Sequence, residues 1–69
     1  MKLPVLSGKD VIKVLIRAGY AIRNQRGSHV HLCHPSRPSL TVPNHREIAR
    51  GTLRAIISAS GIPPEEFLR

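Results

Sequence analysis

Apolar residues in this chain change their spacing twice, from helical to alternating and back to helical, and few architectures accommodate that order. Val11, Ile12, Leu15 and Ile16 recur at helical steps after Ser7, which with Asp10 three places on forms the pattern of a capping box. A helix is expected over about residues 8–18, stopped by Gly19 where a left-handed residue is wanted. The spacing then becomes two. Residues 20–25, His29–Cys33 and residues 39–42 read as three strands, separated by the turns Arg26-Gly27-Ser28 and His34-Pro35-Ser36-Arg37-Pro38. Pro43 cannot donate to a ladder and suits the end of the third. Helical spacing returns from about Arg50, with Leu53, Ile56, Ile57 and Ser60 on one side and Gly61 as the stop. Ile62-Pro63-Pro64-Glu65-Glu66-Phe67 reads as a short final helix, Pro64 in its first position and Ile62 packed on Phe67.

The expected fold is therefore α+β in the order α-β-β-β-α: a three-stranded antiparallel sheet, both helices on one face, and a short C-terminal helix. Sixty-nine residues make one domain, taken as 1–69, near the size at which a single core just offsets chain entropy. With Tyr20 and Phe67 the sole aromatics, an aliphatic core of Val, Ile and Leu is expected. Ile22, Val30, Leu32, Leu40 and Val42 are assigned to the covered face of the sheet. Alternation then sends Arg23, Gln25, His29, His31, Cys33 and Thr41 to the open face.

Eleven Lys and Arg against four Asp and Glu give a net charge of +7, for which nucleic acid, an anionic membrane or an acidic protein is the natural partner. No apolar run approaches the roughly 20 residues of a membrane span, and Met1-Lys2-Leu3-Pro4-Val5-Leu6 lacks a signal-peptide core. A soluble, cytoplasmic protein is expected. Lys9, Lys13 and Arg17 line one side of the first helix at steps of four, a stripe that serves equally as a phosphate contact or as a solvated face.

Three of the four histidines, His29, His31 and His34, lie within six residues. A free imidazole titrates near pH 6.5, so it can accept a proton and return it within one reaction cycle. RNA cleavage has that requirement: a base takes the proton of the ribose 2′-OH, the oxygen attacks phosphorus, and an acid protonates the departing 5′-oxygen. DNA lacks the hydroxyl. No metal is needed if guanidinium groups steady the phosphorane charge, and Arg23, Arg26, Arg37 and Arg46 are the candidates. His29 is the best-placed proton-transfer residue. It follows Gly27, where a nucleic-acid backbone can approach closely, and Ser28, whose hydroxyl can hold a phosphate oxygen. The plainer reading is a strand-end histidine bonded to a turn carbonyl. His31 serves as a second acid or base or as an exposed strand residue; His34, before Pro35, is expected to shape the turn; His45 either caps the second helix or reaches substrate.

Two other chemistries compete. His29-x-His31 on one strand is a workable pair of zinc ligands with Cys33 on the same side, but no convincing fourth partner accompanies them, and no metal or cofactor is expected. Cys33 is the lone cysteine, so no intramolecular disulfide can form. A half-buried thiol is the plain reading and a nucleophile beside His31 or His34 the sharper one.

The ordered blocks Gly27-Ser28-His29, His34-Pro35, Val42-Pro43-Asn44-His45, Gly51-Thr52-Leu53-Arg54-Ala55-Ile56-Ile57 and Gly61-Ile62 resemble HicA-type (YcfA-like) toxins of toxin-antitoxin systems over nearly the whole chain. The resemblance implies a fold similar to double-stranded-RNA-binding domains and a small ribonuclease that cleaves mRNA. It implies that the essential histidine is that of the Gly-Ser-His block, His29, with Gly27 and Ser28 as its motif partners. It implies a HicB-type antitoxin that covers the active surface and reaches DNA through its own module. Together with the residue chemistry, this makes His29 the catalytic candidate and Gly27, Ser28, Arg26, Arg23, Lys9 and Lys13 the substrate-binding candidates. The runner-up is a non-catalytic RNA-binding module on the same surface, with His29 only a hydrogen-bond donor.

Overall fold

The computed structural model describes residues 4–68; Met1, Lys2 and Leu3, part of the segment read above for a signal peptide, lie outside them. Helix α1 spans Gly8–Arg17, strands β1, β2 and β3 span Ala21–Arg26, His29–Cys33 and Leu40–Pro43, helix α2 spans Arg50–Ser60, and a 3₁₀ turn spans Pro64–Leu68. The sheet is antiparallel in the order β1-β2-β3, so β2 is central. This is the expected α+β order. None of the described helices is long and apolar enough to cross a membrane.

Helix α1 starts as its sequence dictates. The Ser7 hydroxyl accepts from the Asp10 amide at 3.1 Å, and the Ser7 amide donates to the Asp10 carboxylate at 3.4 Å, closing the capping box. Gly19 stops it with φ of +103°. The buried face differs by part of a turn from the expected one: Val11, Val14 and Leu15 are buried, Ile12 is half-buried, and Ile16 is exposed. Helix α2 buries Leu53, Ile56, Ile57 and Ser60 as expected and ends at Gly61, φ +72°. Its N-cap is Ala49, with no side-chain cap bond, so His45 does not cap it.

Both helices pack on the face of the sheet carrying Val30, Leu32, Leu40 and Val42. Ile48, from the loop before α2, joins this core. The core is not purely aliphatic. Tyr20 and Phe67 are each nearly fully buried in it, because the edges of so small a sheet need large side chains to close them. Tyr20 is placed by its hydroxyl, which donates to the Pro38 carbonyl at 2.8 Å, and by His34, whose ring centroid lies 4.8 Å from its own. Burial raises the Tyr20 pKa above its ordinary value, and the nearby Arg37 charge opposes this in part.

Strand β1 departs from simple alternation. Ile22 pairs with Leu32 and Asn24 with His31, so Arg23 is an extra residue and the strand carries a bulge. Beyond it the parity is inverted. Asn24 and Arg26, paired with His31 and His29, share the open face, while Gln25, expected there, pairs with Val30 and turns to the helix side. Ile22 faces the helix side as expected but is 54% exposed, since the helix layer covers this edge strand only in part.

Candidate active site

The β1–β2 connection is a two-residue loop, Gly27-Ser28, closed by the Arg26–His29 pair. Gly27 has φ of +59° and Ser28 is not left-handed, which matches a II′ hairpin turn with glycine in its first central place. A Cβ on Gly27 would meet nothing within 4 Å, so the surface beside the turn is open. His29 begins β2 from this turn. Its side chain is exposed and makes no hydrogen bond among the described residues, and its strand neighbours are Arg26 on one side and Pro43 on the other.

A second segment closes on the same end of the sheet. The Asn44 amide donates to the Ser28 carbonyl at 2.6 Å, the Gly8 amide to the His45 carbonyl at 2.8 Å, and the Ile48 amide to the Leu6 carbonyl at 2.8 Å. The loop before α2 is thereby fastened both to the hairpin turn and to the start of α1. Gly8 is required there: a Cβ would meet the Pro43 carbonyl oxygen and stand 2.7 Å from Asn44 Cα. Gly-Ser-His and Val-Pro-Asn-His, which begin fifteen residues apart in the chain, are brought to one end of the sheet.

The four histidines separate by their bonds. His34 is structural: the Ser36 amide donates to its Nδ1 at 3.0 Å, which leaves Nε2–H to donate to the Ala18 carbonyl at 3.0 Å. His31 is half-buried on the open face, its Nδ1 2.9 Å from Thr41 Oγ1. His45 is exposed, with its backbone carbonyl held by Gly8. Only His29 combines exposure with a place beside the hairpin turn and an arginine directly opposite.

The arginines separate likewise. Arg37 has a structural task, because its guanidinium donates to the Ser60 carbonyl at 2.7 Å and satisfies the C-terminus of α2. Arg23 and Arg26 are exposed and line an open depression of about 480 Å³ on the open face, with Asn24, His31, Ser39 and Thr41. Arg46 is exposed in the loop before α2. Lys9 and Lys13 are exposed on α1, in the helix layer across the sheet from this face. The structure thus brings together His29, Gly27, Ser28, Arg26 and Arg23, and sets the two lysines apart. Asn24 escaped the alternation reading because no residue type announces a bulge. Thr41 was assigned to the open face, but its bond to His31 depends on the register. Cys33 pairs with Ala21 at the far end of β2 and is half-buried. Among the described residues no group of three or more His, Cys, Asp or Glu is placed to hold a metal ion.

A family model described as the HicA toxin of bacterial toxin-antitoxin matches residues 8–62. A search of curated proteins finds no match.

Proposed function

The chain belongs to the HicA toxin family, and on that premise we propose that it is a metal-independent endoribonuclease that cleaves mRNA, with His29 as the proton-transfer residue. The observation that carries this reading is the exposed, unbonded His29 ring at a glycine-opened turn, opposite Arg26. His29 takes the proton from a ribose 2′-OH, the 2′-oxygen forms a bond to the adjacent phosphorus, and the bond from phosphorus to the 5′-oxygen breaks. The proton held on the imidazole then passes to the departing 5′-oxygen. A 2′,3′-cyclic phosphate and a 5′-hydroxyl remain, and the histidine returns to its starting state.

Arg26, and Arg23 beside it, offer guanidinium groups to the phosphate oxygens and to the charge that builds on phosphorus. Gly27 gives the RNA backbone room, and Ser28 presents a hydroxyl to it. Lys9 and Lys13 contribute to the long-range attraction of a polyanion by a chain of charge +7. The same charge favours an acidic antitoxin of the HicB type that lies over β2, blocks RNA and carries any contact with DNA.

The test is cleavage of a defined RNA by purified protein in excess chelator, against the same RNA with one 2′-deoxynucleotide at the cut position. Cutting of the first, with a cyclic phosphate end, and none at the substituted site supports the reading. Binding without cutting would instead establish the RNA-binding module.

A further inference from the structure

The depression beside His29 is wider than proton transfer requires and has a different composition. It does not include His29; its polar walls are Arg23, Asn24 and Arg26 from β1, His31 from β2, and Ser39 and Thr41. Leu32 and Leu40, both buried in the core, complete its lining. The depression is open, not enclosed, and lined mostly by exposed side chains, so it suits a ligand that lies along the surface, as a nucleic-acid strand does. Its lining includes the Asn24–His31–Thr41 row, one step of two residues along the sheet from the Arg26–His29–Pro43 row, a displacement of about 7 Å.

The bulge builds this place. Without the extra residue, Arg23 and Gln25 would alternate onto the open face and Asn24 would turn away. With it, Arg23, Asn24 and Arg26 gather round His31. Neither arginine nor Asn24 makes a side-chain hydrogen bond among the described residues, so their donors and acceptors are free for a ligand. His31 is oriented by Thr41 through Nδ1, which aims Nε2 away from that bond. Two guanidiniums supply what a phosphate needs, and a carboxamide presents one donor and one acceptor side by side, as the edge of a nucleobase does.

Resting on the ribonuclease reading above, we infer that this depression receives the nucleotide next to the cleaved bond, with its phosphate between Arg23 and Arg26 and its base edge against Asn24, so that Asn24 selects the sequence cut. Single-stranded RNA is the form it fits, since pairing hides the Watson–Crick edge of a base and the deep, narrow major groove of an RNA duplex keeps side chains from the other.

The experiment measures binding of short uncleavable 2′-O-methyl oligonucleotides of A, C and U, and maps cut sites on one mRNA, for the unsubstituted protein, Asn24→Ala, Asn24→Asp, Thr41→Val and, as a control on the exposed side of α2, Ser58→Ala. Asn24 is exposed and unbonded, so thermal melts of its variants should match the parent; Thr41→Val gives up the bond to His31, and its binding is read per folded molecule. The expected result is that the parent ranks the three oligonucleotides over about tenfold. Asn24→Ala levels the ranking and redistributes the cut sites, Asn24→Asp weakens all binding by placing a carboxylate beside the phosphate, Thr41→Val weakens all binding by releasing His31, and Ser58→Ala changes nothing. An Asn24→Ala protein that keeps the parent's ranking and cut sites overturns the inference and leaves the ribonuclease reading intact. A parent that binds none of the oligonucleotides and cuts no RNA overturns both.

Discussion

Asn44 and Ser28 are joined backbone to backbone, the Asn44 amide donating to the Ser28 carbonyl at 2.6 Å. The hairpin turn that presents His29 is thus held from outside the sheet, by the segment that runs on to α2. Gly8 in turn holds that segment through the His45 carbonyl. The geometry of this two-residue loop therefore depends on a few backbone bonds that tie it to the segments beside it.

Gly8→Ala should therefore destabilise the protein although it replaces glycine in a helix. Propensity alone favours alanine by up to about 1 kcal/mol. The added carbon meets the Pro43 carbonyl and Asn44 Cα, both backbone and unable to yield cheaply, at a cost of about 1–3 kcal/mol. Denaturant melts should show a net loss, and cleavage per folded molecule should fall because the Asn44 segment is displaced.

Tyr20 makes stability sensitive to alkali. Its pKa is raised in the folded protein, chiefly by burial, from an ordinary value of 10.0. Above pH 10 the unfolded chain loses the phenolic proton first, so the folded state binds more protons and stability falls with rising pH. The contribution is fully present below pH 10 and declines as pH climbs towards the folded value. Tyr20→Phe should lose about 1 kcal/mol at neutral pH with the bond to Pro38, and should show a shallower decline than the parent in urea melts above pH 10.

His34→Ala should lower stability and leave the chemistry alone. It removes the partners of the Ser36 amide and the Ala18 carbonyl and opens space beside Tyr20, at about 1–3 kcal/mol. Cleavage per folded molecule, measured below the melting range, should match the parent.

These cases show what the sequence made legible. Spacing of apolar residues and the Ser7–Asp10 and Gly61 stops located every element to within a residue or two, since each of those signals is local. Alternation also placed His29 and His31 on the open face, because β2 is central and regular. It failed on β1, where the bulge moved Gln25 off that face and Asn24 onto it, and where the helices left Ile22 uncovered. The roles of Tyr20 and Arg37 were hidden for a related reason. One closes the core through a bond to Pro38 and the other holds the end of α2, and both contacts cross about 20 residues of chain.

Arg26 and Arg37 should part company in salt titrations of RNA binding. Arg26→Ala should weaken binding and lower the slope of log affinity against log salt by about one, as expected for one lost phosphate contact. Arg37→Ala should leave that slope unchanged and reduce stability by about 1.5–3 kcal/mol through the lost bond to Ser60.

The most direct measurement compares the wild type and His29→Ala, each induced in growing bacteria, by colony formation and transcript integrity, with the melting temperature of both purified proteins as the check on folding. His29 is exposed and unbonded, so the variant should fold as the parent does. Catalysis by His29 requires that the wild type stops growth and fragments mRNA while a folded His29→Ala protein does neither. A folded His29→Ala protein that is as toxic as the wild type and cuts the same transcripts would contradict it.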